Sequence, residues 1–318
     1  ERLHDLWTSP HGAIKAALRH NARAERHGQH HVVSFAVPGI VRARLHLGAD
    51  GLLHKVESVY SNHVMGDTQV VLEYSDYRDH QGTRFPGRIR QTQGGHPVLD
   101  LQVTEVKRNV PTAFAVPALV SAFTERVASE AVSKGVWFLA GGSHNSVLIE
   151  MADHAILVEA PLYDGRTQAV LAEAKRLLPS KPIRRVVNSH HHFDHSGGLR
   201  AAAADGATLV TSAVAKPWFE RVMAQANTVT PDALARSGRR VSVEGVNGQA
   251  NLSDRSRRVM VHTIEGTVHA QGFMMVWLPE SRLLIEADAY TPLAPNAPPP
   301  NPLNDNHVKL VQNIEALR

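Results

Sequence analysis

The first part of the chain alternates between apolar and polar residues in short segments that are separated by turn residues. Such a period of two is typical of strands with one buried face. The segments are 41–47, 52–60, 68–77, 87–93 and 98–106. Two dipeptides between them, Asp50-Gly51 and Gly94-Gly95, suit two-residue hairpin turns. With a short helix that begins at Ser9-Pro10, the pattern predicts a β-rich antiparallel domain over residues 1–116.

From about residue 135 the pattern changes to short apolar runs that alternate with helical periodicity. Strands are predicted at 136–140, 147–151, 155–159, 183–188, 207–211, 258–263, 273–278 and 283–286, and helices at 165–178, 198–204 and 307–317. Strands that alternate with helices indicate an α/β domain built in layers, here over residues 135–318. Between the two parts, Leu119, Phe123 and Val127 recur at four-residue spacing, which predicts a helix over about 116–132. The predicted domain organisation therefore has a linking helix at 117–134.

Composition narrows the chemistry that this chain can carry. It has 318 residues, a formal net charge of +4 and no cysteine, which excludes disulfides, thiolate metal ligands and a cysteine nucleophile. No apolar run reaches the roughly 18 residues that a membrane-spanning helix needs. The 20 histidines are unusual, and histidine is the commonest metal ligand in proteins.

The densest group of histidines, His190-His191-His192-Phe193-Asp194-His195, follows a predicted buried strand directly. Because the backbone is still extended there, His190 and His192 point to the same side and His191 faces away. Asp194 and His195 lie on the turn into the next helix, where the pair Gly197-Gly198 would leave room for a metal centre. This arrangement directs two histidines to one cation and an aspartate with a histidine to a second. A histidine-rich surface loop is the alternative, but the position between a strand and a helix argues against it.

The segment resembles the His-x-His-x-Asp-His signature of the metallo-β-lactamase superfamily, and the resemblance covers about residues 135–318. It implies an αββα sandwich, preceded here by the β-rich antiparallel domain. It also implies a third histidine for the first metal, His269 in the turn after Gly266, and a bridging aspartate, Asp288 at the end of a strand. The implied ligands are His190, His192 and His269 for one ion and Asp194, His195 and Asp288 for the other.

Some features depart from the superfamily pattern. The resemblance implies a last histidine ligand beyond the final helix, and none precedes Arg318, so either the protein continues or the second site is incomplete. His307 lies at the start of the predicted final helix, not beyond it, and is a poor substitute. His262 competes with His269 for the third position, but only His269 follows the glycine turn. For His144, in a Gly-Gly loop, a capped loop is favoured over a place in the cleft.

The resemblance implies a zinc-dependent hydrolase with one or two Zn²⁺ per chain and a small-molecule substrate. A metal-bound hydroxide would attack an ester, lactone or amide carbonyl, β-lactams included, and Asp194 would be the catalytic base or proton shuttle. One alternative is a mononuclear iron oxygenase that acts on sulfur compounds. Another is a nuclease, but dispersed Lys and Arg and an aromatic content of 5% argue against nucleic acid as a partner.

The first domain has a resemblance of its own. The segment Gly82-Thr83-Arg84-Phe85-Pro86-Gly87, the Gly94-Gly95 hairpin and a strand that ends near Asn109-Val110 resemble the half-barrel of periplasmic lipoprotein-carrier proteins. This implies a periplasmic or secreted location and a curved sheet that shelters an apolar ligand or covers the active-site mouth. The corresponding alternative function is a non-catalytic carrier of a lipid-like ligand, and a plain dimerisation or lid domain is the simpler alternative for this half.

Overall fold

The computed structural model describes residues 2–111, 113 and 115–317. The chain divides into two compact units. One comprises Glu1–Phe123 and Ala226–Pro231, and the other comprises Thr124–Gln225 and Asp232–Arg318. Within the described residues, every helix is too short or too polar to cross a bilayer.

The first unit contains a seven-stranded antiparallel meander with two helices packed on it, a separate pair of short strands and a third, short helix. Its strands are β1 (Arg23–His27), β2 (His30–Val37), β3 (Val41–Leu47), β4 (Leu53–Asn62), β5 (Gly66–Ser75), β6 (Arg78–Asp79), β7 (Arg84–Phe85), β8 (Arg88–Gln93) and β9 (His96–Gln102). Its helices are α1 (Arg2–Thr8), α2 (Pro10–Arg19) and α3 (Ala118–Ser121). The sheet order is β1-β2-β3-β4-β5-β8-β9, and β6 pairs with β7 separately. The predicted β-rich antiparallel domain is confirmed.

The alternation of the sequence explains this sheet. In β5, Val70 and Leu72 are buried in the core, whereas the intervening residues are not. At the turn from β8 to β9, Gly94 and Gly95 have φ values of 56° and 87°, as the favoured two-residue hairpin turn requires. A cleft of about 700 Å³ in this unit is lined by arginines as well as by Phe35. The apolar ligand expected from the sequence stays a prediction.

The second unit contains two sheets that pack face to face. The strands of the first sheet are β10 (Ala128–Ser133), β11 (Val136–Ala140), β12 (Ser146–Glu150), β13 (Ala155–Val158), β14 (Ile183–Val187), β15 (Thr208–Ser212) and β16 (Val243–Val246). The strands of the second are β17 (Gln249–Asn251), β18 (Met260–Thr263), β19 (Met274–Leu278) and β20 (Leu283–Ile285). The helices are α4 (Asp164–Leu177), α5 (Phe193–Ser196), α6 (Leu199–Ala204), α7 (Lys216–Met223), α8 (Ala233–Ser237) and α9 (Asp305–Ala316).

The core of the second unit lies between its two sheets. Ile156 and Val187 of the first sheet share one buried cluster with Val261 and Val276 of the second. On the outer face of the second sheet, Leu310 of α9 packs in a separate cluster that contains Phe273 and Met275. Since β13 to β16 are parallel, their carboxyl ends meet at one edge of the first sheet, where open α/β folds place their sites. The predicted α/β sandwich is confirmed.

The predicted helix over 116–132 is wrong. The structure has only the short α3 in this stretch, and Leu119 and Phe123 are 82% and 61% exposed, so their spacing marks no buried face. Residues Ala128–Ser133 instead form β10, which pairs antiparallel with β11 at the edge of the sheet. Pairing with a neighbouring strand outweighed local helical periodicity, as tertiary context often does.

Candidate metal centre

Four side chains from three separate segments form the first donor group. His190 and His192 follow β14, His269 lies between β18 and β19, and Asp288 follows β20; their ligand atoms all lie within 4.8 Å of one another. His269 Nε2 is 3.1 Å from His190 Nε2 and 3.2 Å from Asp288 Oδ2. Tetrahedral donors at about 2.0–2.1 Å from Zn²⁺ lie about 3.3 Å apart, so this spacing fits one cation.

A second donor group lies beside the first and shares Asp288 with it. His144, His195 and Asp288 place ligand atoms within 4.8 Å of one another, and His195 Nε2 is 3.0 Å from Asp288 Oδ2. Asp194 adjoins this group, with its Oδ2 3.0 Å from His144 Nε2 and 4.0 Å from His195 Nε2. The same carboxylate oxygen of Asp288 therefore faces both groups, as a bridging ligand would.

The environment of His190 suits a metal ligand. Burial, reinforced by the charges of the neighbouring imidazoles, lowers the pKa of His190 to about 2, so the ring is neutral at neutral pH. Its Nδ1 is 2.9 Å from the hydroxyl of Ser189, and its Nε2 points into the donor group. A neutral imidazole with a free lone pair is the form that binds a cation.

Glu159 fixes the orientation of His195. The carboxylate follows β13, accepts a hydrogen bond from the amide of Ser189 at 2.6 Å and lies 2.7 Å from His195 Nδ1. Burial lowers the pKa of His195, but the hydrogen bond and charge of Glu159, with the charges of Asp288 and Asp194, raise it to about 8. Because Glu159 holds the Nδ1–H, Nε2 faces the second group and is the atom that a metal ion would bind after displacing its proton.

Sequence reasoning missed Glu159. The available signal was an acidic residue at the end of an otherwise apolar strand, since a buried carboxylate needs a partner. The strand that carries Glu159 runs parallel to the strand before His190, so both residues leave the same edge of the sheet.

The turn that holds Asp288 is fixed by its neighbour Glu286. The Glu286 carboxylate accepts hydrogen bonds from the amides of Ala289 and Tyr290 at 2.9 and 3.2 Å. Asp288 itself has a φ of 63°, a conformation that aspartate adopts more readily than most residues. The side chain of Asp288 is thus set by a local backbone turn.

The two glycines after the motif have a different role from the one expected. A Cβ on Gly197 would lie 1.9 Å from the carbonyl oxygen of Leu162, and one on Gly198 would lie 1.8 Å from Thr167 Oγ1. Those neighbours belong to the segment after β13 and to α4, not to the metal centre. The glycines therefore allow the motif turn to pack closely on the adjacent chain.

The remaining histidines that the sequence singled out lie outside both donor groups. His191 is exposed, with its ring 6.0 Å from that of Trp218. His262 pairs across the sheet with Met275, on the outer face of the second sheet. His307 lies in α9, with its ring 5.1 Å from that of Tyr290.

The structure brings together all six residues that the resemblance implies as ligands, and their role as ligands stays a prediction. It also adds His144 to the second group. A cleft of about 350 Å³ adjoins this group and is lined by His144, His195 and Asp288 together with the apolar Phe138 and Val147. The site is thus open to a small molecule.

Part of the chain matches a known protein family. Residues 139–293 match the family model of the metallo-beta-lactamase superfamily. Similar solved structures include a metallo-beta-lactamase from Pontibacter korlensis, with 17% identity, a TM-score of 0.39 and coverage of 50% of this chain and 70% of that one. The DIM-1 metallo-beta-lactamase has 15% identity and a TM-score of 0.42, with coverage of 54% of this chain and 73% of that one. The metallo-beta-lactamase FIM-1 from Pseudomonas aeruginosa, in a mono-zinc form, has 22% identity and a TM-score of 0.36, with coverage of 48% of this chain and 65% of that one. No curated protein matches the chain.

Proposed function

Since residues 139–293 belong to the metallo-β-lactamase superfamily, we propose that this protein is a zinc-dependent hydrolase of small carbonyl substrates. Esters, lactones and amides, β-lactams included, are the substrates that we propose. The single observation that carries the proposal is the pair of donor groups that share Asp288 Oδ2, one with His190, His192 and His269 and the other with His195.

The residues of the first group would hold one ion, and Asp194 and His195 the other, with Asp288 between them. When bound, the ions supply Lewis acidity and lower the pKa of water from 15.7 to about 7. The chain supplies orientation, because Glu159 holds the His195 ring and Ser189 holds the His190 ring by their Nδ1 atoms. The Asp194 side chain is 37% exposed, so a carboxylate oxygen there can accept a proton and pass it to solvent.

The surroundings of the site favour an uncharged substrate with apolar groups. The cleft beside the second donor group is lined by the apolar Phe138, Val147 and Ile285 as well as by donor residues. Ligand pockets commonly combine apolar walls with a few polar groups that orient the ligand. A carbonyl compound with an apolar acyl or alcohol part would match them.

The proposal is tested by metal analysis and turnover on the same preparation. Protein purified without chelator should contain zinc and hydrolyse at least one member of a panel of esters, lactones and β-lactams. The His192→Ala variant should lose roughly 1000-fold or more in kcat/KM, equivalent to about 4 kcal/mol of transition-state stabilisation. His191→Ala is the matched control, because that ring lies against Trp218, and it should keep the activity.

Two outcomes would contradict the proposal. Full turnover by His192→Ala would show that the donor group is not needed for the reaction. Iron alone at one ion per chain, without hydrolysis of the panel, would favour the oxygenase alternative. The two donor groups favour a pair of ions over the single iron of that alternative.

A further inference from the structure

We propose that His144 is the imidazole ligand that completes the second metal position, supplied by the loop between β11 and β12. The superfamily resemblance implies a histidine from a later part of the chain for this position, so the inference concerns residues of this chain alone. It rests on the proposed function, because it needs a metal pair.

The position of His144 is that of a ligand. Its Nε2 lies 3.0 Å from Asp194 Oδ2, and its ring is 5.0 Å from that of His195 at 86°. Ligand atoms of His144, His195 and Asp288 fall within 4.8 Å of one another. Asp194 adjoins this group through His144 and His195, so two imidazoles and two carboxylates are available as the four donors that Zn²⁺ usually takes.

The loop holds this ring in place. The Ser143 hydroxyl lies 2.9 Å from His144 Nδ1, which leaves Nε2 directed toward the second group. Gly141 has a φ of 134°, and a Cβ there would lie 2.1 Å from the carbonyl oxygen of Arg126. The loop can therefore follow this path only with glycine at that position.

The structure disfavours the capped-loop interpretation of His144. Its ring nitrogens face the Ser143 hydroxyl and the Asp194 carboxylate, not amides or carbonyls of its own loop. Asp194 lies fifty positions further along the chain, in the predicted metal motif. The other histidine considered for this position, His307, lies in α9 beside Tyr290 and in neither donor group.

Zinc titration of the apo-protein tests the inference without reference to activity. The full chain, stripped with chelator, is titrated with Zn²⁺ against a chromophoric competitor, and bound zinc is counted by elemental analysis. The wild type should bind two ions. His144→Ala should keep one ion at unchanged affinity and bind the second more than about 100-fold more weakly, since loss of an outer-sphere partner alone costs 10–100-fold.

Two further variants distinguish a ligand from a structural contact. His144→Gln keeps an N–H donor toward Asp194 but lacks the imidazole lone pair, and it should lose the second ion as His144→Ala does. His307→Ala should bind both ions as the wild type does. The side chain of His144 is 25% exposed on a loop, so these variants are expected to fold.

The results of these titrations distinguish failure of the ligand role of His144 from failure of the proposed function. Two tight ions in both His144 variants, or loss of the second ion in His307→Ala, would overturn the inference and leave the proposed function standing. Retention of the second ion by His144→Gln alone would also overturn it, because His144 would then only orient Asp194. A wild type that binds one ion would overturn it as well, whereas a wild type that binds none would refute the proposed function itself.

Discussion

Replacement of Gly197 by alanine should destabilise the second unit strongly. The added Cβ would lie 1.9 Å from the carbonyl oxygen of Leu162, 2.6 Å from its carbonyl carbon and 2.9 Å from the carbonyl oxygen of Phe193. A carbon atom and a carbonyl oxygen normally approach no closer than about 3.3 Å, so a backbone segment must move by more than about 1 Å. Because no flexible side chain can yield instead, we expect the upper end of overpacking costs, about 3 kcal/mol or more.

Gly165→Ala is the matched control, with the opposite expected sign. Gly165 lies in α4, and its nearest neighbours are ring atoms of Tyr163 at 3.8 Å, an ordinary contact. The same substitution should therefore stabilise the unit by roughly 0.5–1 kcal/mol through helix propensity. The two variants should differ by about 4 kcal/mol.

Urea unfolding followed by tryptophan fluorescence measures both variants. Three of the four tryptophans, Trp137, Trp218 and Trp277, lie in the second unit, so the signal reports chiefly on that unit. The zinc affinity of Gly197→Ala should fall as well, because the motif turn carries Asp194 and His195. An unfolding free energy of Gly197→Ala within about 1 kcal/mol of the wild type would refute the packing argument.

Three further predictions concern buried partners. Arg200 is buried and paired with Asp232. The substitution Arg200→Met should therefore lower the free energy of unfolding by about 3–5 kcal/mol, and an unchanged urea midpoint would contradict this. Glu159→Gln should weaken the second zinc ion by roughly 10–100-fold, because the tautomer and orientation of His195 are no longer fixed, and equal zinc affinities would contradict that role. Burial raises the pKa of Tyr77 to about 12, whereas a tyrosine in the unfolded chain has a pKa of about 10. The folded state therefore holds the phenol proton more tightly, and the free energy of unfolding should fall as the pH rises from about 10 to 12. Tyr77→Phe should reduce that alkaline loss in a pH series of unfolding curves, and an identical loss would contradict the assignment.

The sequence predicted those parts of the fold that depend on interactions between residues close together in the chain. The Gly94-Gly95 turn needs positive φ at both positions, which glycine supplies, and the segments beside it alternate as half-buried strands do. The strand before His190 and the turn after it are likewise encoded within a dozen residues. Hence the motif could be placed at a strand end before any long-range contact was known.

The parts that failed depend on contacts outside each segment. Residues Ala128–Ser133 form a strand that pairs with the next strand, β11, across a short turn, and nothing in their own periodicity indicates this. His144 and Glu159 have no spacing relative to the motif that identifies them. Their roles follow from loops and strand ends that the folded second unit brings beside His195.

The most direct test of the account is anomalous diffraction at the zinc absorption edge from crystals of the full chain grown with Zn²⁺. The account predicts two peaks, one among His190, His192 and His269 and one among His144, Asp194 and His195, with Asp288 between them. The absence of any anomalous peak among these side chains would contradict it.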